Sequence, residues 1–326
     1  AGAASSKPSL VVLCRTPEQT TAALAVAQEL GIREIICDFL EVHGLKEAVK
    51  EVQAAGIRAV AATPRVLKPN EERLWVFFLK LGADALLVRS TGMLHTFMLL
   101  GGAGARVQGG PAAGLDIPAL HGDFSLNAAN SVGAAALLGC GLERLTPAHD
   151  LSVDQLCSLA ELLGPDVAAR KLECVVHHHL PIFHTEHCVF ARFLSDGDSY
   201  LDCGHPCETN SVSLRDEHSA DHVVLADLGC RNTVFNAQAQ TGAAYLPRLL
   251  AAAFRSFRIE LVAEPSELVA PLLRAYAGAL ASGGASDELQ TFLDAAEGGA
   301  TAGSLAPTKE LKKHMLKPTA AATKRE

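Results

Sequence analysis

Between Cys174 and Cys207 the chain reads CVVHHHLPIFHTEHCVFARFLSDGDSYLDCGHPC, and these 34 residues hold six of its thirteen histidines and four of its nine cysteines. Imidazole and thiolate bind transition metals and exchange protons near neutral pH, so a stretch this dense in both points to metal, redox or acid–base chemistry. Cys188, Cys203 and Cys207 follow a C-x14-C-x3-C spacing, and Cys230 comes 23 residues later in DLGCRNT. Four thiolates gathered by a loop and a hairpin suit either tetrahedral zinc or an iron–sulfur cluster. A structural zinc ribbon presents two close pairs of cysteines, and only Cys203 and Cys207 are close here, which leans toward the cluster. His177, His179, His184 and Glu186 are the candidate catalytic groups beside it. On a strand His177 and His179 share one side and His178 takes the other. His184 and His187 flank Glu186 without the HExxH spacing of a helical zinc protease, and the GxSxG of a serine hydrolase is absent. Cys14, Cys37, Cys140, Cys157 and Cys174 lie in apolar segments and are expected to be small core residues.

Those groups need a frame, and the chain supplies one by alternation. Eight short apolar runs read as strands: SLVVLCR, EIICDF, RAVAATPR, ALLVRS, IPALHGDFSLN, RLTPAHD, KLECVVHHH and FRIELV. Amphipathic stretches separate them. After the first strand Thr16 can cap a helix, Pro17 suits its first position, Gln19 completes a capping box and Gly31 stops it. Further helices are predicted at 44–55, 71–81, 128–138, 153–163 and in PSELVAPLLRAYAGALA, with a less clear segment up to Leu100. Strands alternating with helices imply a parallel sheet, and eight of them suggest closure into a (βα)8 TIM-like barrel over residues 9–282. An open doubly wound sheet is the alternative, but no GxGxxG follows the first strand. The pattern breaks between the seventh and eighth strands, so residues 180–236 read as a Cys/His-rich insertion in which HVVLADLGC forms part of a hairpin. Residues 1–8 are expected to be disordered. Residues 283–326 are expected to form a flexible, partly basic tail apart from a helix in SDELQTFLDAAE.

Composition narrows the function. With 49% hydrophobic residues in 326 the chain can bury a large core, yet no apolar run reaches the roughly 20 residues needed to span a bilayer. The net charge is −8, and Lys309 to Glu326 contribute six basic residues against two Glu, so the rest of the chain stands near −12. Such a body lacks a broad electrostatic grip on nucleic acid. An odd number of cysteines without a small, loop-rich scaffold favours a reducing compartment, cytoplasm or organelle stroma, over secretion. The first residue is Ala, and AGAASSKPS resembles neither a secretory signal nor a transit peptide, which suggests a processed form or part of a longer chain.

EHCVFARFLSDGDSYLDCGHPCE, with DLGCRNTVFNAQAQ after it and GDFSLNAANS before it, closely resembles peptidase family U32, the collagenase-like peptidases. The resemblance runs from about Leu10 to Leu280 and is to the later half of the longer members, so an upstream part or a partner subunit would complete them. It implies one of two activities: peptide hydrolysis by a metal-bound water or a thiolate, as the family name says, or the oxygen-independent hydroxylation carried out by iron–sulfur relatives. Those relatives act on a transfer-RNA uridine, a ribosomal-RNA cytidine or the ubiquinone ring, with prephenate implicated as hydroxyl source in the RNA cases. They hold a 4Fe-4S cluster on four cysteines, and by position Cys188, Cys203, Cys207 and Cys230 are the matching ligands. Many relatives read His-Gly-x-x-Cys where this chain reads HHHLP, which puts Pro181 in place of a cysteine. A noncatalytic domain stabilised by its metal is the third reading.

Arg15, Arg65 and Arg89 end strands in LCRT, TPRV and LVRS, and Arg192 and Arg231 lie inside the cysteine block. Guanidinium groups gathered at a barrel mouth suit bidentate capture of a carboxylate or phosphate, such as those of prephenate or a nucleotide. The competing reading is that they pair with acids such as Asp38, Asp123 or Glu260.

Overall fold

The computed structural model describes residues 7–284, 286–295 and 299–315. Seven parallel strands begin the chain: β1 (Ser9–Cys14), β2 (Glu34–Cys37), β3 (Arg58–Ala62), β4 (Ala85–Val88), β5 (Ala119–Gly122), β6 (Arg144–Leu145) and the first part of β7 (Glu173–Thr185). After them come β8 (Val212–Arg215), β9 (Asp221–Asp227), β10 (Arg231–Thr241), β11 (Ser256–Glu260) and β12 (Ala300–Thr301). All belong to one curled sheet in the order β6-β5-β4-β3-β2-β1-β11-β7-β10-β9-β8, with β12 paired to β10. A single parallel bridge, Leu145 to Leu172, links the end of β6 to the start of β7. The architecture is mixed α/β.

Helices α1 (Pro17–Leu30), α2 (Leu45–Ala54), α3 (Glu72–Lys80), α4 (Thr91–Leu99), α5 (Ser131–Gly139), α6 (Val153–Leu163) and α7 (Pro165–Lys171) fall between these strands. Alternate residues of each strand, such as Val12, Cys14, Ile35, Cys37, Ala59 and Ala61, pack against the helices in one large core. The residues between them, Val11, Leu13, Ile36, Val60, Ala62, Ala85 and Leu87, form a separate cluster on the opposite face. This period-two partition follows from the pleat. Local chemistry fixes the junctions. Thr16 Oγ1 accepts from Gln19 N–H at 3.1 Å, Pro17 occupies the first turn and Gly31 closes α1 at φ +67°. Gln19 in turn accepts from Arg15 N–H at 2.8 Å and donates to the Glu264 carbonyl at 3.0 Å, tying the end of β1 to the end of β11.

Three differences from the sequence reading matter for the site. The hairpin is not detached from the sheet: β7 continues past His179 to Thr185 and pairs antiparallel with β10, which pairs with β9, which pairs with β8. This lobe holds α8 (Val189–Leu194) and grows out of β7, a strand of the curled sheet. Second, the described residues beyond Ser282 hold more regular structure than their composition suggests. After α9 (Leu246–Ala251) and α10 (Ser266–Ala281), α11 (Asp287–Ala295) buries Leu289 and Leu293, and Leu305 is 4% exposed before α12 (Thr308–Met315). Ser304 N–H donates to Gln240 Oε1 at 2.8 Å, which holds this segment to β10. Third, the segment up to Leu100 is a capped helix, with Ser90 Oγ accepting from Met93 N–H at 3.4 Å. Ala1–Ser6 of the start and 316–326 of the basic tail lie outside the described residues. Among the described residues no helix is long and apolar enough to cross a membrane.

Candidate functional site

The C-terminal strand ends meet in a layer of charge. Arg89 donates twice to Asp38, at 2.6 and 2.9 Å, and its Nε donates to Asp123 at 2.8 Å. Arg258 donates to the other Asp123 oxygen at 2.5 Å and lies 3.2 Å from Glu260. Arg15 lies 3.1 Å from Asp38 and 3.6 Å from Glu260 and also donates to the Leu261 carbonyl. Burial alone would raise the Asp123 pKa, but Arg258 and Arg89 hold its carboxyl far below the usual range. Two of the predicted anion-binding arginines, Arg15 and Arg89, therefore have carboxylate partners already. Arg231 does as well: it is buried, and it donates to Glu186 at 2.9 Å and to Glu71 at 3.3 Å. Lys68 pairs with the other oxygen of Glu186, so that carboxylate, a predicted catalytic group, sits between two cations and below its ordinary pKa.

Arg65 differs. Its guanidinium carbon lies 4.8 Å over the ring of Phe124, and among the described residues no carboxylate lies within ion-pairing distance of it. Burial, and then Arg89, pull its pKa down to about 10. Phe124 stacks on His149 at 3.8 Å, and His149 meets His178 edge-on at 4.4 Å. Burial holds His149 neutral, with a pKa lowered to about 3, and holds His178 well below its ordinary value as well.

The histidine triplet divides as a strand requires, but the side that reaches the charged layer is the unexpected one. His178 is the member on which Glu260 and Arg258 act. His177 faces away, its Nδ1 3.3 Å from the Tyr276 hydroxyl of α10. His177 Nε2 and His179 Nε2 both approach Glu264 Oε1, at 3.6 and 3.5 Å. Burial would raise the Glu264 pKa, yet the neighbouring His177 ring, and then His179, lower it to about 2. A register shift between Arg258 and Ile259 opposite β7 accounts for the sides. His184 stands apart: its Nδ1 is 2.9 Å from Thr233 Oγ1 and 3.9 Å from Asp227, and its buried Nε2 has no partner. Burial, then Arg65 and Arg231, lower it to about 4. Burial, with Asp38, raises Asp227 to about 6.

The four cysteines occupy neighbouring loops of the lobe, and all are free and partly buried. Cys188 caps α8, and its sulfur accepts from Ala191 N–H at 3.5 Å and from the Asn232 amide at 3.8 Å. Cys230 sits in the β9–β10 turn at φ +59° beside Gly229 at φ +84°. A left-handed cysteine is uncommon where glycine or asparagine would be easier, so its thiol is held there against a backbone preference. Burial raises the Cys230 thiol, and Cys188 and Cys203 raise it further. Cys207 is pushed up to about 12 by burial and by its 3.2 Å hydrogen bond to Glu41, and Cys188 also acts on it. Glu41 follows β2 and had no signal in the sequence. Among the described residues no group of three or more His, Cys, Asp or Glu is arranged to hold a metal ion. Cys188 and Cys230 line a cavity of about 420 Å³ with Glu186, His187, Arg192, Asp196 and Asp198. Cys207 and Arg15 line a larger one, about 830 Å³, between the β8–β9 hairpin and the ends of β1 and β2.

The chain is similar over most of its length to several solved structures. One described as native KDPGal shares 12% identity over 84% of this chain and 95% of that one, with a TM-score of 0.47. Ligand-free tryptophan synthase from M. tuberculosis shares 13% over 86% and 94%, TM-score 0.43, and an HpcH/HpaI aldolase from Desulfitobacterium hafniense 10% over 85% and 93%, TM-score 0.41. No curated protein matches the chain. Residues 113–301 match peptidase family U32, and this span takes in the strands from β5 onward, the histidine triplet, all four lobe cysteines and β12. Covering more than half of the chain, the match makes this protein a member of peptidase family U32.

Proposed function

We propose that this chain is an enzyme of oxygen-independent hydroxylation, acting on an RNA base or a small aromatic ring, with a 4Fe-4S cluster held by Cys188, Cys203, Cys207 and Cys230. The observation that supports the reading is the presence of four free, partly buried thiols in one lobe, one of them kept in a left-handed turn. The donor set suits a cluster: all four donors are soft sulfurs, and among the described residues no histidine is hydrogen-bonded to any of them. A bound cluster would supply one-electron chemistry or a site for the hydroxyl donor.

The chain's own residues supply the surroundings. Asn232 and the Ala191 amide donate to the Cys188 sulfur and orient it. The Arg15, Asp38, Arg89, Asp123, Arg258 and Glu260 layer is a rigid, charge-balanced floor. Arg65 and Arg192 remain for an anionic substrate such as prephenate. His184 is neutral and half-buried at neutral pH, suited to donate or accept one proton at Nε2. In this reading residues 9–282 form a closed (βα)8 barrel, closure resting on the Leu145–Leu172 bridge, and residues 180–236 lie over its mouth.

A peptidase has less support. Among the described residues no Ser, Thr or Cys nucleophile is hydrogen-bonded to a histidine that an acid in turn orients; Thr233 and Asp227 approach the same nitrogen of His184. The test is nucleoside and quinone mass spectrometry of cells lacking the chain. Loss of one hydroxylated product, restored by the wild type but not by C203S/C207S, is expected. Unchanged nucleosides and quinones would contradict the assignment.

A further inference from the structure

We infer that Gln240, held by the C-terminal segment through Ser304, fixes the proton of buried His178 on Nδ1, which makes Gln240 and Ser304 positioning residues for the ring stack His178–His149–Phe124.

The polarity of two hydrogen bonds decides where that proton sits. Gln240 of β10 and His178 of β7 are directly opposed in the antiparallel ladder, and both are buried, at 2% and 1% exposure. The two ends of a glutamine amide have nearly the same shape, so its oxygen is identified by its partners. Ser304 N–H can only donate, and it meets one end of the Gln240 amide at 2.8 Å. That end is the oxygen. The other end is then the NH2, and it lies 3.1 Å from His178 Nε2. An NH2 group only donates, so His178 Nε2 accepts and carries no proton. The single proton of the neutral ring therefore sits on Nδ1, and the imidazolium is excluded while this contact holds. Burial disfavours the charged ring as well.

The segment that orients Gln240 is fastened on both sides of the seam where a single bridge links β6 to β7. β12 pairs with Ala239 and Gln240 of β10, Ser304 Oγ donates to the His149 carbonyl, and Thr308 N–H donates to Asp154 at 2.8 Å. Gly303 stands at φ +50°, and a Cβ there would overlap Gln240 Oε1, so this turn requires glycine. Ser304 lies beyond the matched residues 113–301, so membership of the family does not supply the contact. His149, His178, Gln240 and Leu305 line one cavity of about 20 Å³, which has room for a water molecule and no substrate group. The histidine pair therefore supports the site rather than binding in it. His178 meets His149 edge-on, His149 stacks on Phe124, and the Arg65 guanidinium lies over that same ring.

The experiment records two-bond proton–nitrogen spectra of the full chain carrying 15N-labelled histidine near neutral pH, with His178 assigned from the signals lost in H178N. Wild type is expected to show His178 as the neutral Nδ1–H form. Q240E keeps the side-chain shape and the acceptance from Ser304 but turns a second acceptor toward the ring, so the His178 proton should move to Nε2. G303A, which forces Gln240 Oε1 aside, should shift the His178 nitrogen signals toward an average of the two forms, while those of exposed His218 stay unchanged. A purely structural contact would change the melting temperature of these variants without moving the proton. A protonated Nε2 in the wild type would overturn the assignment whether or not the variants fold, and so would a Q240E protein whose His178 Nε2 stays unprotonated.

Discussion

Replacing Asp123 by Asn tests whether the charged layer at the strand ends, the floor of the proposed site, is structural. The Asp123 side chain is fully buried and accepts three hydrogen bonds: Phe124 N–H at 2.9 Å, Arg89 Nε at 2.8 Å and Arg258 Nη2 at 2.5 Å. Asparagine keeps the shape and one accepting oxygen. It removes the charge that Arg258 and Arg89 share, and it turns an NH2 donor toward one of two guanidinium groups. Arg258 is hit hardest, because its Nη1 and Nε already lack hydrogen-bond partners. Breaking a buried pair while leaving its cation in place costs about 3–5 kcal/mol. At a urea m-value of about 3 kcal/mol/M, fitting for a chain of this size, the unfolding midpoint should fall by about 1–2 M. D116N, at the exposed Arg106–Asp116 pair, is the control and should cost below about 1 kcal/mol. Urea unfolding followed by circular dichroism measures both. A D123N midpoint within the error of D116N would show that the floor is not held by these pairs, and the division between structural and substrate-binding arginines would fail with it.

Two further outcomes follow from the same reasoning. His149 and His178 are buried neutral, with folded pKa values below the ordinary 6.5, so the unfolded chain binds two more protons in acid. Their contribution is complete above pH 6.5 and is lost as pH falls toward 3, at up to about 2.7 kcal/mol per pH unit for the pair; H149F should reduce the slope by about 1.4, and an unchanged slope in urea titrations at pH 7, 6 and 5 would contradict it. L305A should cost about 2–5 kcal/mol in the same assay, because Leu305 is buried beneath the segment that β12 and Ser304 attach to β10; a neutral change would mean the segment is not part of the core.

Much of the frame was legible where one short stretch carries a complete local instruction. Thr16, Pro17, Gln19 and Gly31 delimit α1 by themselves, and the alternation of apolar runs with amphipathic ones marked each strand through β7. The hairpin in HVVLADLGC was also legible, and β9 pairs with β10 across the turn that holds Cys230. What the sequence concealed depends on distant partners. Whether an arginine at a strand end is free or paired is decided by acids about 20 to 250 residues away, which is why Arg15, Arg65 and Arg89 looked alike and differ in the fold. The side taken by His178 depends on a register shift opposite β7, and a one-residue slip reverses every side chain beyond it. Glu41, Glu264 and His149 carried no motif and enter the site through packing alone. The segment after Ser282 looked like a tail because its few leucines are sparse, yet Leu289, Leu293 and Leu305 suffice to dock it.

The central claim, that four lobe sulfurs hold one iron–sulfur centre, is tested most directly by iron and acid-labile sulfide analysis of the anaerobically purified chain. The account predicts a brown protein with about four iron and four sulfide atoms per chain, both lost in C203S/C207S. A colourless protein carrying one zinc per chain, or no metal at all, would contradict it.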